Sequence, residues 1–457
     1  MFQKVAIIGG GAAAATLVSE LLERRTPKPL HLTWFAGSAE PGRGVAYGTP
    51  SDRHLLNVRA ASMGMFVSKP GGFLEFAQAS DPAVKGSDFL PRRLYGDFLR
   101  TRVEAAVAGA HQLGHDINLV PFCAESLVPS SEGITVGYGD GEEAHAGAAV
   151  LAIGSLPPRP LAGVQDAALA SGRYVTDPWP YLAAAEADDR PLRVLVIGLG
   201  LTAVDVVLEL SARWPNANFT ALSRHGHLPE PHLAAASAPN NDGNELAEQM
   251  RDDPNIRIWL RSLREATESA DDWRTVVDSM RPHTQGLWQE LPPAERSRFL
   301  RHARWAWERA RHRMPPQVAS SVARLEKAGK LHRLRGRMQS VSLRMDGDLD
   351  VVRRETGTDH TVSETYDIVI QTVGLNTDTL RTEHVLMRQL VIDDLVTPDR
   401  MGLGLAAQAD GHLLDGEGKP RGNLFAIGSL LRGALWESTA IPEIRKQAQA
   451  LANLLVK

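Results

Sequence analysis

The sequence predicts an α/β protein of two Rossmann-like dinucleotide-binding domains, each with a β-meander, plus a helical insertion in the second. Three observations carry this. The apolar run Val5-Ala6-Ile7-Ile8 enters Gly9-Gly10-Gly11-Ala12-Ala13-Ala14 and continues at helical spacing through Leu17, Val18, Leu21 and Leu22. The run Val194-Leu195-Val196-Ile197-Gly198-Leu199-Gly200-Leu201-Thr202-Ala203-Val204-Asp205 aligns on Val5 to Thr16 without gaps, and Glu209-Leu210 falls on Glu20-Leu21. Each turn is followed by a β-rich stretch, 117–155 and 330–374, whose last strand ends in glycine, at Gly154 and Gly374.

The spacing has a chemical reason. In a strand–turn–helix unit the first glycine makes the tight turn, the second lets a pyrophosphate approach the backbone, and a small third residue lets helix and strand pack closely. The free N–H groups of the helix N-terminus then hold the phosphates. Gly9, Gly11 and Ala14 form one such set, and Gly198, Gly200 and Ala203 the other. A glycine turn also occurs where nothing binds, but two copies in register imply two nucleotides.

With 50 basic and 54 acidic residues in 457, net charge is −4, so no global field draws the chain to nucleic acid or an anionic membrane. Small molecules are the expected partners. No apolar run reaches a membrane span, and the first strand begins at Val5, so a cytoplasmic location is expected. The single cysteine, Cys123, excludes an internal disulfide and hence disulfide-reductase chemistry; its apolar neighbours suggest that it packs as a small hydrophobe. The 15 histidines lack zinc-site spacing, so no metal is expected.

In chain order, the second strand, Leu30 to Phe35, ends at Ala36, where a ribose-binding carboxylate is usual. Glu40 is the nearest candidate, against the alternative of a solvated loop glutamate. The segment Pro41 to Pro50, dense in turn formers, reads as an irregular wall against a flat ring, with Tyr47 as its aromatic. Asn57, among apolar neighbours, is expected to be buried, either at the site or as a turn residue. Residues 73–110 read mostly as helix.

Prolines punctuate 156–191, which reads as a linker. The expected organisation is 1–190 with 375–457 as one discontinuous domain and 191–374 as the other, interrupted by a helical insertion at about 226–318. The insertion's tryptophans read as core. Its arginine run, Arg296 to Arg313, reads as a solvated helix face. Arg224, just past the strand Phe219 to Leu222, stands where an acidic residue would favour NADH; it suits a 2′-phosphate or stacking on adenine.

These elements, with Gly44-Val45-Ala46-Tyr47, Leu55-Leu56-Asn57-Val58, Ser223-Arg224-His225-Gly226-His227-Leu228-Pro229 and the tail Gly433-x-x-Trp436-Glu437-Ser438-Thr439-Ala440-x-Pro442-Glu443-x-Arg445, resemble the bacterial FAD-NAD(P)-binding family of two-dinucleotide-binding-domain flavoprotein monooxygenases along nearly the whole chain. The resemblance implies FAD on the first turn, NAD(P)H on the second, Gly428-Ser429 near the ribityl chain and the tail over the isoalloxazine. Ser429 departs from the aspartate of many relatives. With no cysteine pair to receive electrons, oxygen or a diffusible substrate remains, and the resemblance favours monooxygenation, with Asn57 as the catalytic hydrogen-bonding residue by analogy.

Some FAD-dependent urate hydroxylases are similar along their length, which makes urate to 5-hydroxyisourate, in purine breakdown, the preferred expectation. Arg43, Arg59 or Arg281 would then hold the urate anion. The alternatives are hydroxylation of an amino-acid nitrogen, or a redox sensor or reductase acting on a protein partner.

Overall fold

The structure, a computed structural model, describes residues 2–38, 40–235 and 243–457. A six-stranded sheet is ordered 412–414, 420–426, 148–151, 4–8, 31–35, 116–120, all parallel except the first strand. Both of its faces are covered, so its central strands are continuous apolar runs: Val5 to Ile8 and Ala148 to Leu151 are all buried. The helix Ala12–Leu22 and the closing helix Ile441–Val456 lie on one face together. The strand Pro420–Ala426 thus returns from the far end of the chain to pair with Ala148–Leu151.

A second sheet is ordered 361–366, 349–355, 331–343, 218–223, 193–197, 368–371, 174–175. The long strand Leu331–Leu343 pairs parallel with Asn218–Ser223 at its start and antiparallel with Leu349–Glu355 further on, so the second meander extends its own nucleotide sheet. The first meander, 124–130, 133–138 and 142–146, is instead a separate three-stranded sheet.

Three expectations are corrected. The stretch 156–191 is not a plain linker: it contains the helices Asp166–Ala170 and Pro178–Ala184 and the strand Tyr174–Val175. That strand pairs with Val369 and Ile370, so the chain enters the second sheet before residue 190. The loop 41–50 includes a helical turn, Gly44–Tyr47, made possible by positive φ at Gly42 and Gly44.

The insertion folds as helices from Gly243–Asp252 to Arg304–Arg311 around its own apolar cluster, which includes Trp259, Trp288 and, from the tail, Trp436. Trp273, Trp305 and Trp307 are only half-buried. Arg301 is exposed, but most of the run's arginines are paired. Arg304 pairs with Glu308, Arg309 with Glu230, Arg311 with Glu437, and the fully buried Arg313 with Asp278. Cys123 is exposed, since its strand partners end before it. No helix among the described residues is long and apolar enough to cross a membrane.

Candidate functional site

The two glycine turns are near copies. Gly9 and Gly198 have φ of 126° and 120°, and a Cβ on either would collide with a returning-strand carbonyl, that of Ala152 or Thr372. These glycines are demanded by the protein itself. Gly11 and Gly200 are different. They cap their helices at φ, ψ of −92°, −175° and −81°, −174°, conformations open to any residue. A Cβ on Gly200 meets no atom within 4 Å, and one on Gly11 only the Gly44 Cα at 3.9 Å. Nothing in the chain requires glycine there, so the space in front of both helix N-termini fits a group that must approach the backbone, as a pyrophosphate does. Ala14 and Ala203 are buried against their strands and act by packing, without facing that space.

Around the first turn, Gly428 lies opposite the start of the helix Ala12–Leu22, 3.6 Å from its would-be Cβ to Ala13 Cβ. The Ser429 hydroxyl donates to the Gly154 carbonyl, so its proton is committed and only its lone pairs can serve a ligand. Gln447, which sequence reasoning missed, joins this turn to the tail: its Oε1 accepts from Gly428 N at 2.9 Å and its Nε2 donates to Ser438 O at 2.9 Å. The tail is strained at Glu437, φ 61°, and held by Trp307 Nε1 at 2.7 Å and Arg311 Nε at 3.1 Å on its carboxylate. Ser438 is fully buried and its hydroxyl has no partner among the described residues.

Beyond the second turn, the exposed Arg224 forms no ion pair among the described residues. His225 stacks on Trp305 at 4.3 Å, and burial, reinforced by Arg224, Arg335, His227 and Arg337, holds its pKa below the usual value. Ser223 pairs in register with Arg335, and Arg337 follows on the same strand, which sets these basic residues near Arg224 at the end of Asn218–Ser223. Arg335 and Arg337 were missed. Their signal, a basic residue at every second position of a strand from Arg333, is visible in the sequence but carries no meaning until that strand pairs with Asn218–Ser223.

A buried polar cluster joins the two units. Arg92 Nη2 sits 2.9 Å from Asp205 Oδ2, and Ser51 Oγ donates to Glu209, whose other oxygen takes Arg213 at 2.7 Å. His54 Nδ1 lies 2.6 Å from Thr49 Oγ1 while its Nε2 has no hydrogen bond. Burial holds His54 below its usual pKa and raises that of Asp205, each opposed by the other's charge. Burial also works to raise Glu209, but its bonds to Ser51 and Arg213 outweigh that and leave it low. Asp205 and Glu209 are i, i+4 on an otherwise apolar helix, a signal that the alignment on Thr16 and Glu20 displayed without explaining.

Glu40 is exposed on the loop past Ala36. Tyr47 turns its ring onto Tyr95, 4.7 Å between centroids, and burial pushes its hydroxyl up to about 12. Asn57 is half-buried; its carbonyl lies 3.0 Å from His232 Nε2, and its side-chain amide has no hydrogen bond among the described residues. The three arginines expected to hold an anion are already engaged. Arg43 pairs with Asp97 at 2.6 Å, Arg59 donates to the carbonyls of Ser87, Leu233 and Ala235, and Arg281 forms a bidentate pair with Glu443 at 2.8 and 2.7 Å. Opposite charges or carbonyls within one side-chain length have taken them. No group of metal ligands is present among the described residues.

Residues 6–156 match the family model described as FAD-NAD(P)-binding. No curated protein matches the sequence. Among solved structures, the ornithine N-hydroxylase of Kutzneria sp. 744, with reduced FAD, NADP+ and L-ornithine, shares 16% identity over 99% of this chain and 98% of its own, TM-score 0.65. L-lysine 6-monooxygenase from Pseudomonas syringae shares 16% over 100% and 99%, TM-score 0.66. The cadaverine monooxygenase of desferrioxamine biosynthesis from Erwinia amylovora, bound to FAD, shares 12% over 100% and 94%, TM-score 0.66. The chain has the two-dinucleotide-binding flavoprotein fold from end to end.

Proposed function

We propose that this chain is an FAD-dependent monooxygenase that uses NADPH and O2 to hydroxylate the nitrogen of an amine. One observation carries the reading: two dinucleotide-type glycine turns lie in a fold shared over its full length with enzymes named for ornithine, lysine and cadaverine, in a chain whose lone cysteine gives electrons no internal disulfide to enter. The balanced reaction is R-NH2 + O2 + NADPH + H+ giving R-NHOH + NADP+ + H2O. Amine hydroxylation takes the place of urate hydroxylation, for which neither a relative nor a free arginine speaks.

In this reading the first sheet's unit holds FAD through Gly11 and Gly428, and the second holds NADPH through Gly200, with Gly9 and Gly198 shaping the two turns. FAD bound there would supply the redox chemistry between NADPH and oxygen. Arg224, with Arg335 and Arg337, receives the 2′-phosphate. Gln447 and the strained Glu437 hold the tail against the crevice. By analogy, Asn57, whose side-chain amide has no hydrogen bond among the described residues, is the hydrogen-bonding residue beside the reacting atoms.

The test is to purify the protein with its flavin and follow NADPH and NADH oxidation, oxygen uptake and peroxide release with ornithine, lysine, cadaverine, longer amines and urate. Amine-dependent NADPH oxidation with a product heavier by one oxygen is expected. Turnover of urate, or NADPH oxidation that yields only peroxide with every amine, would overturn the reading.

A further inference from the structure

The helical insertion lines an open chamber of about 330 Å3, within the range of ligand pockets. Its walls are almost entirely apolar, with Trp259, Trp288, Trp307, Trp436, Leu263 and Phe299 among them, and no lining residue is acidic. Leu263, Phe299 and Trp307 are only half-buried, and the exposed Arg264 stands at the rim, so the chamber opens to solvent.

Within this wall Trp436 stands apart. The indole N–H groups of Trp259, Trp288 and Trp307 donate to Met250 O, Gly433 O and Glu437 Oε1, at 2.6, 2.8 and 2.7 Å. Trp436 is 3% exposed, packed between Trp288 and Phe299 at 5.0 and 5.2 Å, and its Nε1 has no partner among the described residues. An indole N–H buried without an acceptor is costly, and indoles of this kind normally find one. Trp436 also belongs to the tail. Two residues on, Ser438 O is bound to Gln447, which holds Gly428 N at the first crevice. The tail therefore runs from the chamber's lining to the first glycine turn.

We infer that this chamber houses the carbon body of the substrate, an alkyl or aromatic chain, with the reacting amine at the end next to the tail. The inference rests on the amine-hydroxylation reading for the amine alone. A second charge on the substrate, as on an amino acid or a diamine, would lose its water in a chamber that offers no acidic partner. Each methylene buried instead gains about fourfold in affinity.

The experiment uses the full flavin-loaded chain, with n-alkylamines from butyl to decyl, n-octanol, ornithine and cadaverine as probes. Binding is read from intrinsic tryptophan fluorescence and calorimetry, and turnover from amine-dependent NADPH oxidation. Affinity should rise about two-hundredfold from butylamine to octylamine, with octanol binding as octylamine does. Ala306→Phe, which fills the chamber from the helix Arg304–Arg311, should flatten the chain-length dependence; Ala306→Ser should keep it. Leu263→Trp provides a second filler if Ala306→Phe lowers the unfolding midpoint. A flat series in the natural protein, or a steep one surviving both fillers, overturns the inference. If octanol and octylamine bind steeply but no amine is oxidised, the chamber stands and amine hydroxylation falls. If ornithine is hydroxylated while alkylamines neither bind nor react, the reverse holds.

Discussion

Replacing Gly200 by alanine separates a glycine kept for the fold from one kept for a ligand. The added methyl meets no atom within 4 Å, and φ −81° is accessible to alanine. The loss of a slightly better helix cap and the gain from a stiffer unfolded chain nearly cancel, so stability should change by less than about 1 kcal/mol. Gly198→Ala is the contrast. There φ is 120° and the methyl meets the Thr372 carbonyl and hydroxyl, with strain of about 1–3 kcal/mol before the collision is counted. For NADPH the ranking is set by the ligand. A methyl at Gly200 holds the pyrophosphate away from the helix N–H groups and forfeits one or two bonds to charge, each about 1.5–3 kcal/mol. The dissociation constant should rise about 10- to 100-fold or more. Chemical denaturation without nucleotide and an NADPH titration of the flavin-loaded protein measure the two quantities. Unchanged NADPH affinity in Gly200→Ala, or destabilisation equal to that of Gly198→Ala, would refute the argument.

Arg224→Ala should weaken NADPH about tenfold and NADH little, with Arg335→Ala adding to the effect; an equal loss for both nucleotides would remove the 2′-phosphate role. Arg92→Leu leaves Asp205 buried without its cation and should cost about 3–5 kcal/mol in urea denaturation, largely recovered by adding Asp205→Leu. His232 is held at about 4, by burial first and then by Arg313, against 6.5 in the unfolded chain. The unfolded state therefore binds the extra proton, and its contribution to stability is complete above pH 6.5 and lost as pH falls toward 4. The unfolding midpoint should fall less between pH 7 and pH 5 in His232→Gln than in the natural chain.

The duplication was legible because strand, turn and helix are local: the spacing from Val5 to Ala14 specifies a shape that recurs wherever the spacing recurs. The same locality explains the failures. The prolines of 156–191 punctuate short elements as readily as a linker, and only pairing with Val369 and Ile370 reveals Tyr174–Val175 as a strand. Arg296 to Arg313 looked solvated because a charge run names no partners; Glu230, Asp278 and Glu437, far away in sequence, supply them.

By itself the sequence determined the two nucleotide turns, the α/β class, the helical insertion and the absence of a disulfide route, since each follows from local sterics, periodicity or composition. The tertiary structure decided which glycines serve the fold and which leave space for a ligand, which arginines remain free, and that the tail's Trp436 walls a chamber built by the insertion. Those properties are distances between residues remote in the chain, and only packing sets such distances.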